Sequence, residues 1–230
     1  MKFKKLTAIV ISASLLASCN VNAISVTAEF AKLIGVVTCA DFDIYLKNIN
    51  KRRDVVEKII IPHGITSIDD CAFSECENLV SITIPDSVSY IGDCAFSGCE
   101  KLTSIILPNS VRFIGSCAFS RCENLISITI PDGVSRIGDW TFSGCGKLTS
   151  ITMPRSVSFI GNWAFSGCEN LVSIIIPGTV AFIGSNAFWN CENLTIYAND
   201  ETCEYIEQTR EELKFKGNLK HLEEVPTTLM

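Results

Sequence analysis

The 230-residue chain has only two histidines, His63 and His221, and lacks a Gly-x-Ser-x-Gly elbow, a phosphate-binding glycine loop and a His-Glu-x-x-His pair. The usual signatures of serine hydrolases, nucleotide-binding proteins and zinc peptidases are therefore missing. His63 stands at a turn where other parts of the chain carry Asp, Asn or Arg, and His221 lies near the C-terminus, so both read as solvated side chains. No catalytic residue, metal site or cofactor is expected. Positive charge is also scarce, with 19 Lys and Arg against 25 Asp and Glu for a net charge of −6. Residues 1–19 hold three of the lysines and no acid, and setting them aside takes the balance from −6 to −9. Nucleic acids and anionic membranes both select clustered Lys and Arg, so neither is an expected partner. The apolar stretch near the start, Leu6–Ala17, is twelve residues long, too short to span a bilayer.

That run has another reading. Lys2, Lys4 and Lys5 precede it and small residues follow, the layout of an export signal. Leu16-Ala17-Ser18-Cys19 resembles the lipobox of bacterial lipoproteins, in which the cysteine thiol takes a lipid. Ordinary cleavage after Val21-Asn22-Ala23 is the competing reading. The expected location is the cell envelope or surface, with membrane attachment only through a lipid on Cys19.

Proline is sparse too, and its placement is informative. Six of the seven prolines (Pro62, Pro85, Pro108, Pro131, Pro154 and Pro177) are spaced by 23 residues. They close copies of one stretch, Leu79–Pro85, that returns at Leu102–Pro108, Leu125–Pro131, Leu148–Pro154 and Leu171–Pro177. A fixed period of this length signals stacked repeats. Each copy reads P-x-x-V-x-x-I-G-x-x-A-F-S-x-C-E-N-L-x-S-I-x-I, with nearly invariant apolar columns such as Phe73, Phe96, Phe119, Phe142, Phe165 and Phe188. One copy cannot bury so many apolar groups, but stacked coils can cover each other. Ser-Ile-x-Ile alternates as a half-buried strand should, and the proline that follows lacks a donor for the next ladder bond. Val-x-x-Ile-Gly suggests a second short strand, and the glycine after each isoleucine a tight corner. Ala-Phe-Ser-x-Cys is long enough only for one helical or 3-10 turn.

Of the twelve cysteines, six follow the same period: Cys76, Cys99, Cys122, Cys145, Cys168 and Cys191 recur every 23 residues. Equivalent positions in neighbouring coils lie about 4.8 Å apart with parallel Cβ vectors, whereas disulfides prefer Cβ atoms about 3.8 Å apart. Buried thiols bonded to backbone inside the turn are the expected reading. Cys71, Cys94 and Cys117 form a second column that Trp140, Trp163 and Asn186 interrupt, which argues against a metal site.

The ends depart from the repeat. Ala28–Val37 reads as a short helix and Asp41–Arg53 as an amphipathic one, together a helical cap over residues 20–57. At the other end Leu194-Thr195-Ile196-Tyr197 lacks a proline. Asn199 or Asp200 can cap a helix running to about Lys214, with Cys203, Ile206 and Leu213 on one side. Gly217–Met230 reads as a loose tail. The expected organisation is signal 1–19, cap 20–57, repeats 58–197, and cap helix with tail 198–230.

The run Leu-x-x-Ile-x-Ile-Pro-x-x-Val-x-x-Ile-Gly-x-x-Ala-Phe-x-x-Cys is similar to the BspA-like leucine-rich repeat family over roughly residues 57–197. The resemblance implies a right-handed, β-rich repeat solenoid with short helical or 3-10 turns and helical caps. It also implies surface exposure and, for several members, adhesion to host matrix proteins or other bacteria. Within the repeats two outward columns are candidate contact surfaces. One is the Ser/Thr/Ile face of the main strand, from Ser81 and Thr83 to Ser173 and Ile175. The other is Tyr90, Phe113, Arg136, Phe159 and Phe182, with Trp140, Trp163 and Trp189 nearby. Exposed apolar stripes of that size commonly mark a partner site. The partner would be a protein, or a second copy of the chain if the stripe serves self-association; mutual stacking that stiffens the coil edge is the alternative.

Overall fold

The computed structural model describes residues 23–25, 36–37, 52–61 and 63–225. The signal-like segment, Cys19 and most of the expected N-terminal helix Asp41–Arg53 lie outside the described residues.

The described chain is a parallel-strand solenoid of about seven turns. Most coils contribute one strand to each of two faces. The main ladder contains β1 (Ala23–Ser25), β3 (Lys58–Ile60), β5 (Ser81–Thr83), β8 (Ser127–Thr129), β10 (Ser150–Thr152), β12 (Ser173–Ile175), β14 (Thr195–Ala198) and β15 (Asn218–His221). The second contains β2 (Val36–Val37), β4 (Ser67–Ile68), β6 (Tyr90–Ile91), β7 (Phe113–Ile114), β9 (Arg136–Ile137), β11 (Phe159–Ile160) and β13 (Phe182–Ile183). Every pairing is parallel, and the register repeats the sequence period: Ser127 faces Ser150, and Phe159 faces Phe182. Like residues therefore lie over like residues, as the repeat requires.

A third ladder joins the turns. The N–H of Cys94, Phe96 and Gly98 donates to the carbonyls of Ser116, Ala118 and Ser120, each at 2.8 Å, and equivalent bonds link the neighbouring coils. Within a coil the turns close by bonds to the residue three back, such as Ser97 N to Cys94 O at 3.1 Å. Left-handed residues flank each turn. Cys71, Cys94, Cys117, Trp140, Trp163 and Asn186 have φ of 53–58°, and the position four residues later, such as Glu75 or Gly98, is left-handed as well. Within this ladder the N–H groups all point toward the next coil and the carbonyls toward the preceding one.

Both ends of that polar ladder are capped. Arg53 Nη1 donates to Ala72 O at 3.1 Å and Ser74 O at 2.8 Å at the N-terminal end. At the C-terminal end, helix α1 (Asp200–Leu213) offers its last carbonyls: Asn186 N donates to Glu212 O and Phe188 N to Leu213 O. Helix C-termini carry unsatisfied carbonyls, so each surface completes the other. Asn199 caps α1 by accepting from Thr202 N at 3.0 Å, and Cys203, Ile206 and Leu213 are buried against the last coil.

Two terminal expectations are corrected. Val36–Val37 lies inside the expected helix Ala28–Val37, yet it is a strand paired with Ser67–Ile68. Within the expected loose tail, Asn218–His221 is a strand paired with β14, followed by a 3-10 turn at Leu222–Glu224. The physical reason is the same at both ends. A terminal coil presents a row of backbone donors and acceptors, and an added strand satisfies them where a helix side would not.

The core is a set of columns. The six column phenylalanines are fully buried, and successive centroids are 5.4–5.9 Å apart. Phe215 closes the stack edge-on against Phe188. Thr141 replaces alanine in a fully buried column, and its hydroxyl donates to Gly138 O at 2.9 Å.

The glycine after each isoleucine has a different role from a tight corner. Gly92, Gly115, Gly138, Gly161 and Gly184 do not have positive φ. A Cβ at Gly92 would lie 2.6 Å from Asp70 N and collide with its carboxylate; at Gly161 it would meet Asp139 in the same way. The aspartate of one coil reaches over the glycine of the next to accept from backbone, as in Asp93 N to Asp70 Oδ1 at 2.7 Å and Asn162 N to Asp139 Oδ1 at 2.8 Å. The glycine permits close approach of coils.

The ladders loosen at one place. Ser104 joins Ser127 only by an isolated bridge, and β7 pairs with β6 while β9 pairs with β11. There Arg112 crosses over Gly133 and donates to Val111 O at 3.1 Å. In other coils a hydroxyl makes the equivalent bond, as Ser156 does to Val134 O at 2.7 Å.

Candidate functional site

The second ladder sets its first residue outward and its isoleucine inward. That alternation leaves Tyr90, Phe113, Arg136 and Phe182 exposed, with Phe159 half-buried between neighbours. Register brings them into contact along the rod. Tyr90 and Phe113 stack at 4.8 Å with planes 3° apart, and Phe159 and Phe182 stack at 4.9 Å. Arg136 places its guanidinium 4.0 Å from the centroid of Phe159, so the arginine extends the aromatic pair. Burial and then the carboxylates of Asp70, Asp93 and Asp69 push the Tyr90 hydroxyl above its ordinary range, keeping it a neutral donor.

A second aromatic row occupies the left-handed turn position. Trp140 and Trp163 stack at 4.8 Å, 4° from parallel, and Trp189 meets Trp163 edge-on at 5.8 Å. Trp189 is reached from the position after the phenylalanine of its coil, outside the column of the other two. Within each stacked pair the rings cover one another's facing sides.

The main sheet adds a plainer surface. Ser81, Thr83, Ser127, Thr129, Ser150 and Thr152 are exposed, and Ile106 is 84% exposed in the same face. The neighbouring column, which sequence reasoning missed, exposes Val80, Ile126 and Val172 in alternation with Thr103 and Thr149. Its signal was available in the variable position of Leu-x-Ser-Ile, which changes between apolar and polar while its neighbours do not.

The inner cysteines form no such surface. Cys99, Cys122, Cys145, Cys168 and Cys191 each donate to the carbonyl of a phenylalanine in the preceding coil, at 3.0–3.3 Å. Burial pushes the thiols of Cys99, Cys122 and Cys168 well above their ordinary value, and Cys145 up to about 12. They are structural donors. Among the described residues no group of three or more His, Cys, Asp and Glu could hold a metal ion, and no helix is long and apolar enough to cross a membrane.

A family model described as the BspA type leucine rich repeat region matches residues 51–145 and 114–221, in six copies. The chain belongs to this family. A leucine rich cell surface protein from Faecalibacterium prausnitzii A2-165 is 36% identical with a TM-score of 0.57; the match covers 66% of this chain and 41% of that one. A leucine rich repeat protein of T. pallidum is 28% identical with a TM-score of 0.58, over 72% of this chain and 73% of that one. None of the curated proteins compared with the chain matches it. BspA-type repeats are bacterial scaffolds that in general bind other proteins, and such folds typically carry no chemistry of their own.

Proposed function

We propose that this BspA-type protein is an exported surface protein that recognises another protein through the flank bearing Tyr90, Phe113, Arg136, Phe159 and Phe182, with Trp140 and Trp163 beside it. The observation that carries the reading is the exposed, in-register stacking of these rings. Aromatic and arginine side chains dominate binding hot spots. Here their rotamers are already held by neighbours, which lowers the entropy lost when a partner docks. The finer reading is adhesion to a host matrix protein or to another cell. A relative described as a leucine rich cell surface protein supports surface display, and the Leu16-Ala17-Ser18-Cys19 pattern supports a lipid on Cys19 as the anchor.

Capture of matrix and envelope proteins by residues 20–230 tests the proposal. Phe159→Ser with Phe182→Ser should abolish capture while leaving the circular dichroism spectrum unchanged; undiminished capture by the double variant refutes the assignment of this flank. If the stripe serves self-association instead, light scattering of the wild type shows concentration-dependent assembly that the double variant loses. Fatty-acid labelling decides the anchor: label should enter the wild type and be absent from Cys19→Ser.

A further inference from the structure

Three partly exposed thiols in the turn ladder have no role in that reading. Cys71, Cys94 and Cys117 occupy one left-handed position in successive coils, with φ of 53–55°. Cys71 N donates to Asp93 O and Cys94 N to Ser116 O, both at 2.8 Å, which fixes the coils in register at this turn. Ladder spacing of about 4.8 Å falls within the roughly 4.4–6.8 Å Cα separation that a disulfide accepts. The three side chains leave equivalent positions of adjacent coils, with Cys94 between Cys71 and Cys117. The turn itself does not require a thiol, because Trp140, Trp163 and Asn186 adopt the same backbone conformation in later coils. The inner cysteines differ on both counts, being fully buried and already bonded to phenylalanine carbonyls.

We propose that Cys71, Cys94 and Cys117 form a reversible thiol–disulfide site in which Cys94 bonds either neighbour and the third thiol stays free. The co-reactant is a small-molecule disulfide. The Cys94 thiolate attacks one sulfur of R–S–S–R, forms a mixed disulfide and expels R–S⁻. The thiolate of Cys71 or Cys117 then attacks Cys94 Sγ and expels the second R–S⁻. The protein loses two thiol protons and two electrons, and the reagent leaves as two R–SH. The remaining thiol can attack Cys94 again and exchange the pairing. Parallel ladder Cβ atoms at about 4.8 Å must close toward the usual 3.8 Å or so, and strained disulfides are the readily reduced ones. The bond is therefore reversible. Burial raises all three thiols above their ordinary value, so the reactive thiolate is scarce near neutrality. Exchange should accelerate about tenfold from pH 7 to pH 8.

The test treats the folded full chain with oxidised glutathione at pH 8, traps remaining thiols by alkylation and maps peptides after cleavage at acidic residues. Glu75, Glu77 and Asp86 lie between Cys71 and Cys94, so such cleavage separates them. The expected product carries a Cys71–Cys94 or Cys94–Cys117 bond with one outer thiol alkylated, and reduced glutathione reverses it. Cys94→Ser should lose the internal bond and carry glutathione on Cys71 and Cys117. Cys71→Ser with Cys117→Ser should stop at a mixed disulfide on Cys94. Glutathione on all three wild-type thiols with no internal bond overturns the proposal, as does a column still fully alkylatable after prolonged treatment. Modification of Cys122 as fast as Cys94 overturns the claimed selectivity.

Discussion

The buried and exposed aromatic columns of this solenoid share one register but tolerate different sequences. Inside, phenylalanine fills the column in all six coils from Phe73 to Phe188, each ring fully buried. Outside, the row reads Tyr90, Phe113, Arg136, Phe159, Phe182. The outer stacks are the closer ones, 4.8–4.9 Å against 5.4–5.9 Å inside, so ring contact alone does not enforce uniformity. Confinement does. An inner ring is enclosed by the leucine, isoleucine and cysteine columns, and any other volume leaves a cavity or a clash. An outer ring is bounded on one side by water, and an arginine can take its place by stacking. Variation within an otherwise invariant repeat therefore marks the surface available for recognition.

The largest expected contrast between the two regions comes at high pH. The inner thiols of Cys99, Cys122, Cys145 and Cys168 are held above the ordinary value of 9.0 by burial. Their folded pKa exceeds the unfolded one, so the stability they supply is intact below about pH 9. It is lost as pH rises from there toward the folded values, about 12 for Cys145. Each thiol that stays protonated in the fold steepens the loss by about 1.4 kcal/mol per pH unit within its own window. Urea unfolding at pH 8, 9 and 10 measures the slope, and Cys122→Ala should make it shallower.

Phe142→Ala comes next, at about 3–5 kcal/mol, because the cavity opens between two flanking rings that the ladders hold apart. A loss below about 1 kcal/mol by urea unfolding would mean the coils collapse onto the gap. Gly161→Ala should cost about 1–3 kcal/mol by overpacking. Adding Asp139→Ala should restore only part of that loss, since the new methyl would also sit 2.6 Å from the Asp139 backbone N. The smallest stability change belongs to the outer row. Phe159→Ser with Phe182→Ser removes one exposed stacked pair, about 0.5–1.5 kcal/mol, yet should have the greatest effect on partner capture.

Much of the core was legible from the chain. The columns through Ile68, Phe73, Cys76 and Leu79 are buried as their period implies, and the outward residues of the second strand are exposed or half-exposed as alternation implies. The thiols bond backbone carbonyls, although the acceptor lies in the preceding coil rather than in the same turn. The glycines after isoleucine were assigned to a corner because the residue that crowds each one, an aspartate at Gly92, Gly115 and Gly161, is 22 residues earlier, beyond any local reading. The left-handed turn residues were also hidden, since Cys, Trp and Asn at one position suggest no common backbone conformation.

The sequence by itself determined the period, the stacking and the identity of the buried columns. Identical copies can cover one another's apolar groups only in register, so the repeat carries its own tertiary information. The tertiary structure decided how the rod ends. Arg53, helix α1 and the added strands β1, β2 and β15 meet the polar groups that the outermost coils present. No repeat continues there, and which segment satisfies those donors and acceptors depends on where the folded chain can reach.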